Sequence, residues 1–102
     1  MTDTSEPSAV RVRISVSGRV QGVGYRAFTV RAASERGLVG GVRNCEDGRV
    51  ELEAEGAKAK IMSLIEALKV GPPASRVTDV RVEWVRATGR QSEFAEIGRA
   101  HV

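Results

Sequence analysis

The chain has 102 residues, of which 41% are hydrophobic and 28% are charged, and its formal net charge is +3. This length suits one domain with a single core, and no apolar run approaches the roughly 20 residues that cross a membrane. The single cysteine, Cys45, excludes an internal disulfide and a cysteine-based metal cluster and fits a reducing cytoplasm. We therefore expect one soluble cytoplasmic domain, residues 9–98, between a disordered N-terminal tail at 1–8 and a C-terminal tail at 99–102.

The charge pattern limits the class of partner. Sixteen Lys and Arg residues stand against thirteen Asp and Glu residues, and the two signs are interspersed along the chain. A nucleic-acid-binding protein usually gathers its positive charge into a stripe or patch. The composition therefore permits a small anionic ligand and predicts no nucleic-acid or membrane partner.

The first third of the chain predicts a strand, a loop and a helix. Over residues 10–17, hydrophobic residues alternate with arginine and serine, which is the period of a half-buried strand. A glycine-rich segment, residues 18–24, follows. Hydrophobic residues then recur at helical spacing, and Gly37 stands where a helix C-terminal glycine belongs, so we expect a helix over about 25–36.

The middle of the chain predicts a hairpin and a second helix. Asp47-Gly48 lies between two extended runs, 38–45 and 49–56, and glycine accepts the positive φ that a tight hairpin turn requires. After the hairpin comes an apolar stripe at helical spacing, made by Ile61, Leu64, Ile65 and Leu68.

The remaining strands indicate the fold. Residues 77–85 alternate again, with Val80, Val82 and Trp84 expected to face inward, and 94–97 fits a short final strand. The order β-α-β-β-α-β is that of the ferredoxin-like α+β sandwich, an antiparallel sheet with two helices on one face. The other face would bear cross-strand ion pairs between charged residues, namely Arg11, Arg13, Glu51 and Glu53.

The glycine-rich loop has the features of an anion-binding site. It reads Gly18-Arg19-Val20-Gln21-Gly22-Val23-Gly24-Tyr25-Arg26. Glycines let successive backbone N–H groups turn toward one point, the helix start adds partial positive charge, and Arg26 adds a full one. A plain strand-to-helix turn also uses glycine, so the loop alone leaves both interpretations open. It is neither a P-loop nor a dinucleotide fingerprint, because no Lys-Ser or Lys-Thr follows and Ala27 replaces the third glycine.

Asn44 is the second candidate, near the end of the second predicted strand. Asparagine commonly closes a turn through its side-chain amide, and this alternative stays open beside a role in a site. Glu46 and Asp47 are adjacent in the following turn and supply too few converging oxygens for a metal site. No metal and no cofactor is predicted.

Together these segments resemble the acylphosphatase family. Its pattern runs Val-x-Gly-x-Val-Gln-Gly-Val-x-aromatic-Arg, then Gly-Leu-x-Gly-x-Val-x-Asn, then Asp-Gly-x-Val-Glu. This chain has Val16-Ser17-Gly18-Arg19-Val20-Gln21-Gly22-Val23-Gly24-Tyr25-Arg26, then Gly37-Leu38-Val39-Gly40-Gly41-Val42-Arg43-Asn44, then Asp47-Gly48-Arg49-Val50-Glu51. Order and spacing match over roughly residues 10–97, nearly the whole predicted domain.

The resemblance implies hydrolysis of the carboxyl–phosphate bond of small acyl phosphates, giving a carboxylate and inorganic phosphate without a cofactor. It implies that Arg26 binds the phosphate and that Asn44 positions the attacking water, and these are the two predicted catalytic residues. The implied phosphate cradle is the backbone of Arg19, Val20, Gln21, Gly22 and Val23. No side-chain base is implied, because the only histidine, His101, is next to the chain end and the substrate phosphate would take the proton.

Two positions depart from the family pattern. Gly41 stands where an aromatic residue is frequent, and we expect looser packing beside Asn44 and a wider rim of the site. Tyr25 replaces the commoner phenylalanine, and its hydroxyl needs a hydrogen-bond partner if the ring is buried.

Other functions share this fold or this cradle. The RNA-recognition motif has the same element order but displays aromatic residues on its open sheet face, where this chain has arginine and glutamate. A non-catalytic domain that binds carbamoyl or acyl phosphate is a closer alternative, and acylphosphatase-like domains also occur in larger hydrogenase-maturation proteins. Because Arg26 and Asn44 are both present, we favour a free-standing, monomeric enzyme.

Overall fold

The computed structural model describes residues 9–97, so the predicted tails, His101 and the last residue of the predicted domain lie outside it. The elements in chain order are β1 (Val10–Arg19), α1 (Tyr25–Glu35), β2 (Val39–Asn44), β3 (Val50–Gly56), α2 (Lys58–Val70), β4 (Arg76–Val85) and β5 (Phe94–Glu96). The strands form one sheet in the order β4-β1-β3-β2-β5. Over residues 9–97 no helix is long and apolar enough to span a membrane.

The ferredoxin-like fold is confirmed, and one strand pairing differs from the expected antiparallel sheet. Strand β1 pairs antiparallel with both β3 and β4, and β2 pairs antiparallel with β3. The short β5, however, pairs parallel with β2, so the sheet is mixed. Residues 86–93 connect β4 at one edge of the sheet to β5 at the opposite edge. Because the chain enters β5 there in the same direction as β2, the two strands are parallel.

The core lies between the two helices and one face of the sheet. Alternate residues of the central strands are fully buried, as the period of two predicts, and α2 covers them with its apolar stripe. Each large apolar side chain buried in this way contributes about 1.5–3 kcal/mol to folding. The sheet contributes Val12, Ile14, Val16, Val42, Val50, Leu52 and Ala54, and α2 contributes Ile61, Leu64, Ile65 and Leu68.

The expectation that β4 faces inward is only partly right. Val80, Val82 and Trp84 do lie on the core face, paired with β1, but β4 is an edge strand that the helices do not fully cover. Val82 is therefore 37% exposed and Trp84 is 46% exposed. The Lys58 ammonium lies 5.7 Å from the Trp84 ring centroid and shields part of the indole through a cation–π contact.

The opposite face of the sheet bears the predicted ladder of ion pairs. Arg11 Nε contacts Glu53 at 2.7 Å, Arg11 Nη1 contacts Glu55 at 2.8 Å, and Arg13 Nε contacts Glu53 at 3.2 Å. The aromatic side chains of the strands are not displayed here, since Phe94 is buried and Trp84 lies on the core face. This face lacks the base-stacking platform of an RNA-recognition motif.

Buried Glu55 fastens the 86–93 segment to this face. Its carboxylate accepts hydrogen bonds from the backbone N–H groups of Thr88 (2.9 Å) and Gly89 (2.8 Å), and from Arg11. The bond from the Thr88 amide, helped by those from Gly89 and Arg11, lowers the pKa of Glu55 to about 2 against the opposing effect of burial. Glu55 thereby links the path of the chain into β5 to the central strand β1.

We expect Glu55→Gln to destabilise the protein at pH 7 by about 2–3 kcal/mol, because a buried arginine loses a charged partner. The Glu55 pKa is lower in the folded chain than its ordinary 4.5, so its contribution is complete above pH 4.5 and disappears as the pH falls through about 2. Urea unfolding from pH 2 to 7 should show the two proteins converging at low pH. Exposed Glu66→Gln is the control, and an equal loss there would contradict the prediction.

Candidate active site

The glycine loop between β1 and α1 owes its glycines to backbone conformation. Gly22 and Gly24 have φ values of 74° and 82°, in the left-handed region, and a Cβ at either position would meet no atom within 4 Å. Conformation and not crowding therefore requires glycine there. Gly24 caps α1 without any side-chain hydrogen bond, and the first turn of α1 holds no acidic residue. The positive end of α1 consequently has no compensating acidic group from its own first turn.

A small cavity opens at this end of α1. Its volume is about 170 Å³, room for roughly five waters at about 30 Å³ each, which suits a phosphate group. The lining residues come from the loop, α1, β2 and β5, and they are Val20, Gly22, Gly24, Tyr25, Arg26, Ala27, Asn44 and Glu96. The cavity thus brings together Arg26 and Asn44, the two residues predicted to be catalytic.

The predicted cradle residues divide into two groups. Val20 and Gly22 line the cavity, and Val20 is buried and anchors the loop to the core. Arg19, Gln21 and Val23 do not line it: Arg19 is exposed at the end of β1, and Val23 packs against the core. That the backbone of all five residues binds the phosphate stays a prediction.

Asn44 is not needed by the turn that follows it. That turn closes through its own backbone, with Cys45 N–H donating to the Arg49 carbonyl at 2.9 Å and Gly48 N–H donating to the Cys45 carbonyl at 3.2 Å. Asn44 pairs with Val50 in β3 and directs its side chain toward the helix side of the sheet. Its Oδ1 is buried and has no hydrogen-bond partner among the residues that the structure describes. A buried acceptor left unpaired costs folding free energy, which marks Asn44 as a candidate functional residue.

The Gln21 side chain makes two contacts that were not expected from the sequence. Its Nε2 donates to the Cys45 carbonyl at 2.8 Å and to the Arg49 carbonyl at 2.9 Å. The side chain therefore ties the glycine loop to the turn next to Asn44 and fixes the two halves of the cavity relative to each other. The sequence offers no signal for this contact beyond a long amide within a glycine-rich loop.

The Tyr25 hydroxyl has the partner that its burial requires. It donates to the Leu68 carbonyl at 2.7 Å, and burial raises its pKa, so it stays a neutral donor. In a continued helix the Leu68 carbonyl would accept from residue 72, but Pro72 has no N–H. Tyr25 thus donates a hydrogen bond to a carbonyl at the end of α2 that has no donor within the helix.

We expect Tyr25→Phe to lower the free energy of unfolding by about 1–2 kcal/mol, because the buried Leu68 carbonyl loses the hydroxyl that replaces its missing helix donor. The acyl phosphate hydrolysis predicted from the sequence should be unchanged at a temperature where both proteins are folded. The reason is that the lost hydroxyl points away from the cavity toward α2. Chemical denaturation and initial rates check the two statements. A fall in rate without a fall in stability would contradict this role.

Gly41 does not border the cavity, so the expected widening of its rim is wrong. Gly41 pairs with Glu53 and faces the charged side of the sheet, whereas Asn44 faces the helices. The space above Gly41 holds the Ile97 side chain, and any Cβ at position 41 would collide with it. Glycine at this position therefore leaves space for the Ile97 side chain, on the side of the sheet away from the cavity.

Two titratable side chains bear on the chemistry of the cavity, the Cys45 thiol next to Asn44 and the Glu96 carboxylate in the lining. Burial raises the pKa of the Cys45 thiol, which favours the unreactive protonated form. The one carboxylate in the cavity lining, Glu96, has an oxygen 3.6 Å from Arg26 Nη1. Within residues 9–97, His, Cys, Asp and Glu side chains nowhere gather in threes around a position for a metal ion.

Comparison with known proteins places this geometry in a family. The acylphosphatase family model matches residues 12–96. An acylphosphatase from Methylococcus capsulatus is 52% identical over 85 residues, covering 83% of this chain and 92% of that protein. The crystal structure of acylphosphatase from Bacillus subtilis superposes with a TM-score of 0.85 at 44% identity, covering 87% of this chain and 99% of the other.

A larger protein contains a similar unit. Full-length HypF, in a phosphate- and nucleotide-bound crystal form, matches with a TM-score of 0.79 at 28% identity, over 90% of this chain but 12% of HypF. The relatives that match over their whole length are acylphosphatases. The chain therefore belongs to the acylphosphatase family.

Proposed function

We propose that this chain hydrolyses small acyl phosphates to a carboxylate and inorganic phosphate, with Arg26 binding the phosphate and Asn44 orienting the attacking water. Membership of a family of hydrolases acting on acid anhydrides supports the reaction class. One observation supports the residue roles above all: Asn44, whose buried Oδ1 has no hydrogen-bond partner among residues 9–97, lines the same cavity as Arg26 and the uncapped start of α1.

The charges around the cavity suit a phosphoryl group. In phosphoryl transfer, negative charge spreads over the equatorial oxygens, so a guanidinium and aimed backbone N–H groups can supply most of the stabilisation. Arg26 offers two donors in a plane, and the loop at Val20 and Gly22 lies beside it. One preorganised donor of this kind is typically worth about 3 kcal/mol of the barrier, on the order of a hundredfold in rate.

Asn44 is suited to orient a water molecule that attacks phosphorus. An amide oxygen accepts one O–H of the water, which turns a lone pair of the water oxygen toward the substrate. The amide does not ionise and so takes no proton, and we propose that a phosphate oxygen of the substrate accepts it. The carboxylate is a good leaving group, so the reaction places little demand on acid catalysis.

The test of this function is hydrolysis of benzoyl phosphate, followed by loss of its ultraviolet absorbance, with EDTA present. We expect turnover far above the spontaneous rate, unaffected by EDTA and inhibited competitively by inorganic phosphate. The control is the heat-unfolded protein at equal concentration. A folded protein that binds phosphate but leaves the rate at its spontaneous value would contradict hydrolysis and favour a binding domain.

Location and oligomeric state stay predictions, and we propose a cytoplasmic monomer. The half-buried free thiol of Cys45 is compatible with a reducing compartment. The cavity of one chain already brings Arg26 and Asn44 together. Size-exclusion chromatography with light scattering tests the monomer directly.

A further inference from the structure

Glu96 places a carboxylate inside a cavity otherwise built for an anion. Strand β5 brings it there, because its parallel pairing with β2 sets Glu96 beside Val42 on the helix-facing side, where Asn44 also points. Glu96 Oε1 lies 3.6 Å from Arg26 Nη1, and the two side chains are 44% and 38% exposed. A distance of 3.6 Å at this exposure describes a loose ion pair, which solvent and competing ligands weaken.

A bound phosphate and Glu96 would require the same guanidinium. Arg26 has five N–H donors, but those on the side facing Glu96 cannot point at a phosphate and at the carboxylate together. A phosphate dianion in the cavity would also lie close to the negative charge of Glu96. A phosphate that binds at the Nη1 side of Arg26 therefore displaces Glu96 from it, and the lost ion pair and the repulsion both subtract from phosphate affinity.

We propose that Glu96 is an internal competitor for Arg26, displaced by the phosphate group of the substrate and restored when product phosphate leaves. This inference rests on the proposed function, because it concerns the same cavity. It predicts that Glu96 holds the guanidinium in the empty site and weakens retention of inorganic phosphate. Glu96 thus weakens the binding of phosphate groups in this cavity, that of the anionic product included.

The experiment is calorimetric titration of inorganic phosphate at pH 7 into the wild type, Glu96→Gln and Glu93→Gln. Glutamine keeps the size of the side chain and removes its charge. Glu93 is a matched control, because it is exposed, lies three positions away and does not line the cavity. We expect Glu96→Gln to bind phosphate about 2- to 5-fold more tightly, as expected for a partly exposed charge pair, and Glu93→Gln to match the wild type.

A second measurement separates competition for Arg26 from general repulsion. Glu96→Asp keeps the charge but shortens the side chain, which weakens its reach to Arg26, so we expect phosphate affinity between those of the wild type and Glu96→Gln. In hydrolysis assays, Glu96→Gln should show a lower inhibition constant for phosphate together with a lower KM for benzoyl phosphate. Glu96→Asp binding phosphate as weakly as the wild type would overturn competition for the guanidinium.

Failure of this inference is distinguishable from failure of the proposed function. If the wild type hydrolyses benzoyl phosphate but Glu96→Gln and Glu93→Gln bind phosphate with equal affinity, the competitor role is wrong and the proposed function stands. If the wild type neither hydrolyses the substrate nor binds phosphate, the proposed function itself fails. Urea unfolding of each variant confirms that the affinities belong to folded protein.

Discussion

Arg26→Ala is expected to lower kcat/KM for benzoyl phosphate at least about a thousandfold, equivalent to ~4 kcal/mol of transition-state stabilisation. Arg26 is the one cationic side chain among the residues that line the cavity, so nothing in that lining replaces it. Its folding role is small, because within the described residues its side chain makes only the loose ion pair with Glu96. We therefore expect the free energy of unfolding to stay within about 0.5 kcal/mol of the wild type.

Two further variants make this expectation specific. Arg26→Lys keeps the charge but loses the planar pair of donors, and we expect it to recover only a small part of the rate. Arg31→Ala removes an exposed arginine from the same helix, outside the cavity, and should match the wild type. Equal losses in Arg31→Ala and Arg26→Ala would show that net charge, and not the guanidinium in the cavity, governs the rate.

Much of the fold could be predicted because its signals are local. Alternation in β1 and the apolar stripe of α2 follow from the geometry of a strand and a helix on one core, and both elements occur as expected. The turn at Asp47-Gly48 and the helix end at Gly37 follow from glycine's tolerance of positive φ, and Gly37 has φ 70°. These features depend on neighbours within a few residues, which a sequence displays directly.

The features that were missed depend on contacts between distant segments. The exposure of Trp84 follows from the edge position of β4, and strand order is not visible in the periodicity of one strand. The wrong expectation for Gly41 arose in the same way, since the face on which Gly41 lies depends on its register with Glu53, and the space above it is filled by Ile97.

In the candidate site, too, the residues of a local motif were predictable and the contacts between distant segments were not. Arg26 and Asn44 were predicted from a motif, and the structure brings both to one cavity. Glu96 was not predicted, because it enters the cavity through a parallel pairing of β5 with β2 at the far edge of the sheet. The side-chain bonds of Gln21 to the turn after Asn44 were equally invisible, since they join segments more than twenty positions apart.

Asn44→Ala is expected to lower activity without lowering stability. We expect kcat to fall about 100- to 1000-fold with KM nearly unchanged, because the water loses its positioning acceptor while the phosphate contacts remain. A buried acceptor without a partner costs folding about 1–3 kcal/mol, and alanine removes that cost. The melting temperature should therefore equal or exceed that of the wild type.

Asn44→Asp provides the matched comparison, because aspartate keeps the size and the acceptor but adds negative charge beside the phosphate. We expect this variant to lose kcat and also to raise KM, since the carboxylate repels the substrate, whereas Asn44→Ala changes kcat alone. Steady-state kinetics and thermal unfolding on the same preparations test both variants. A destabilised Asn44→Ala with near-normal kcat would show that Asn44 serves the β2–β3 turn after all. If the unpaired Asn44 Oδ1 serves the attacking water, Asn44→Ala is a stable enzyme with a low kcat.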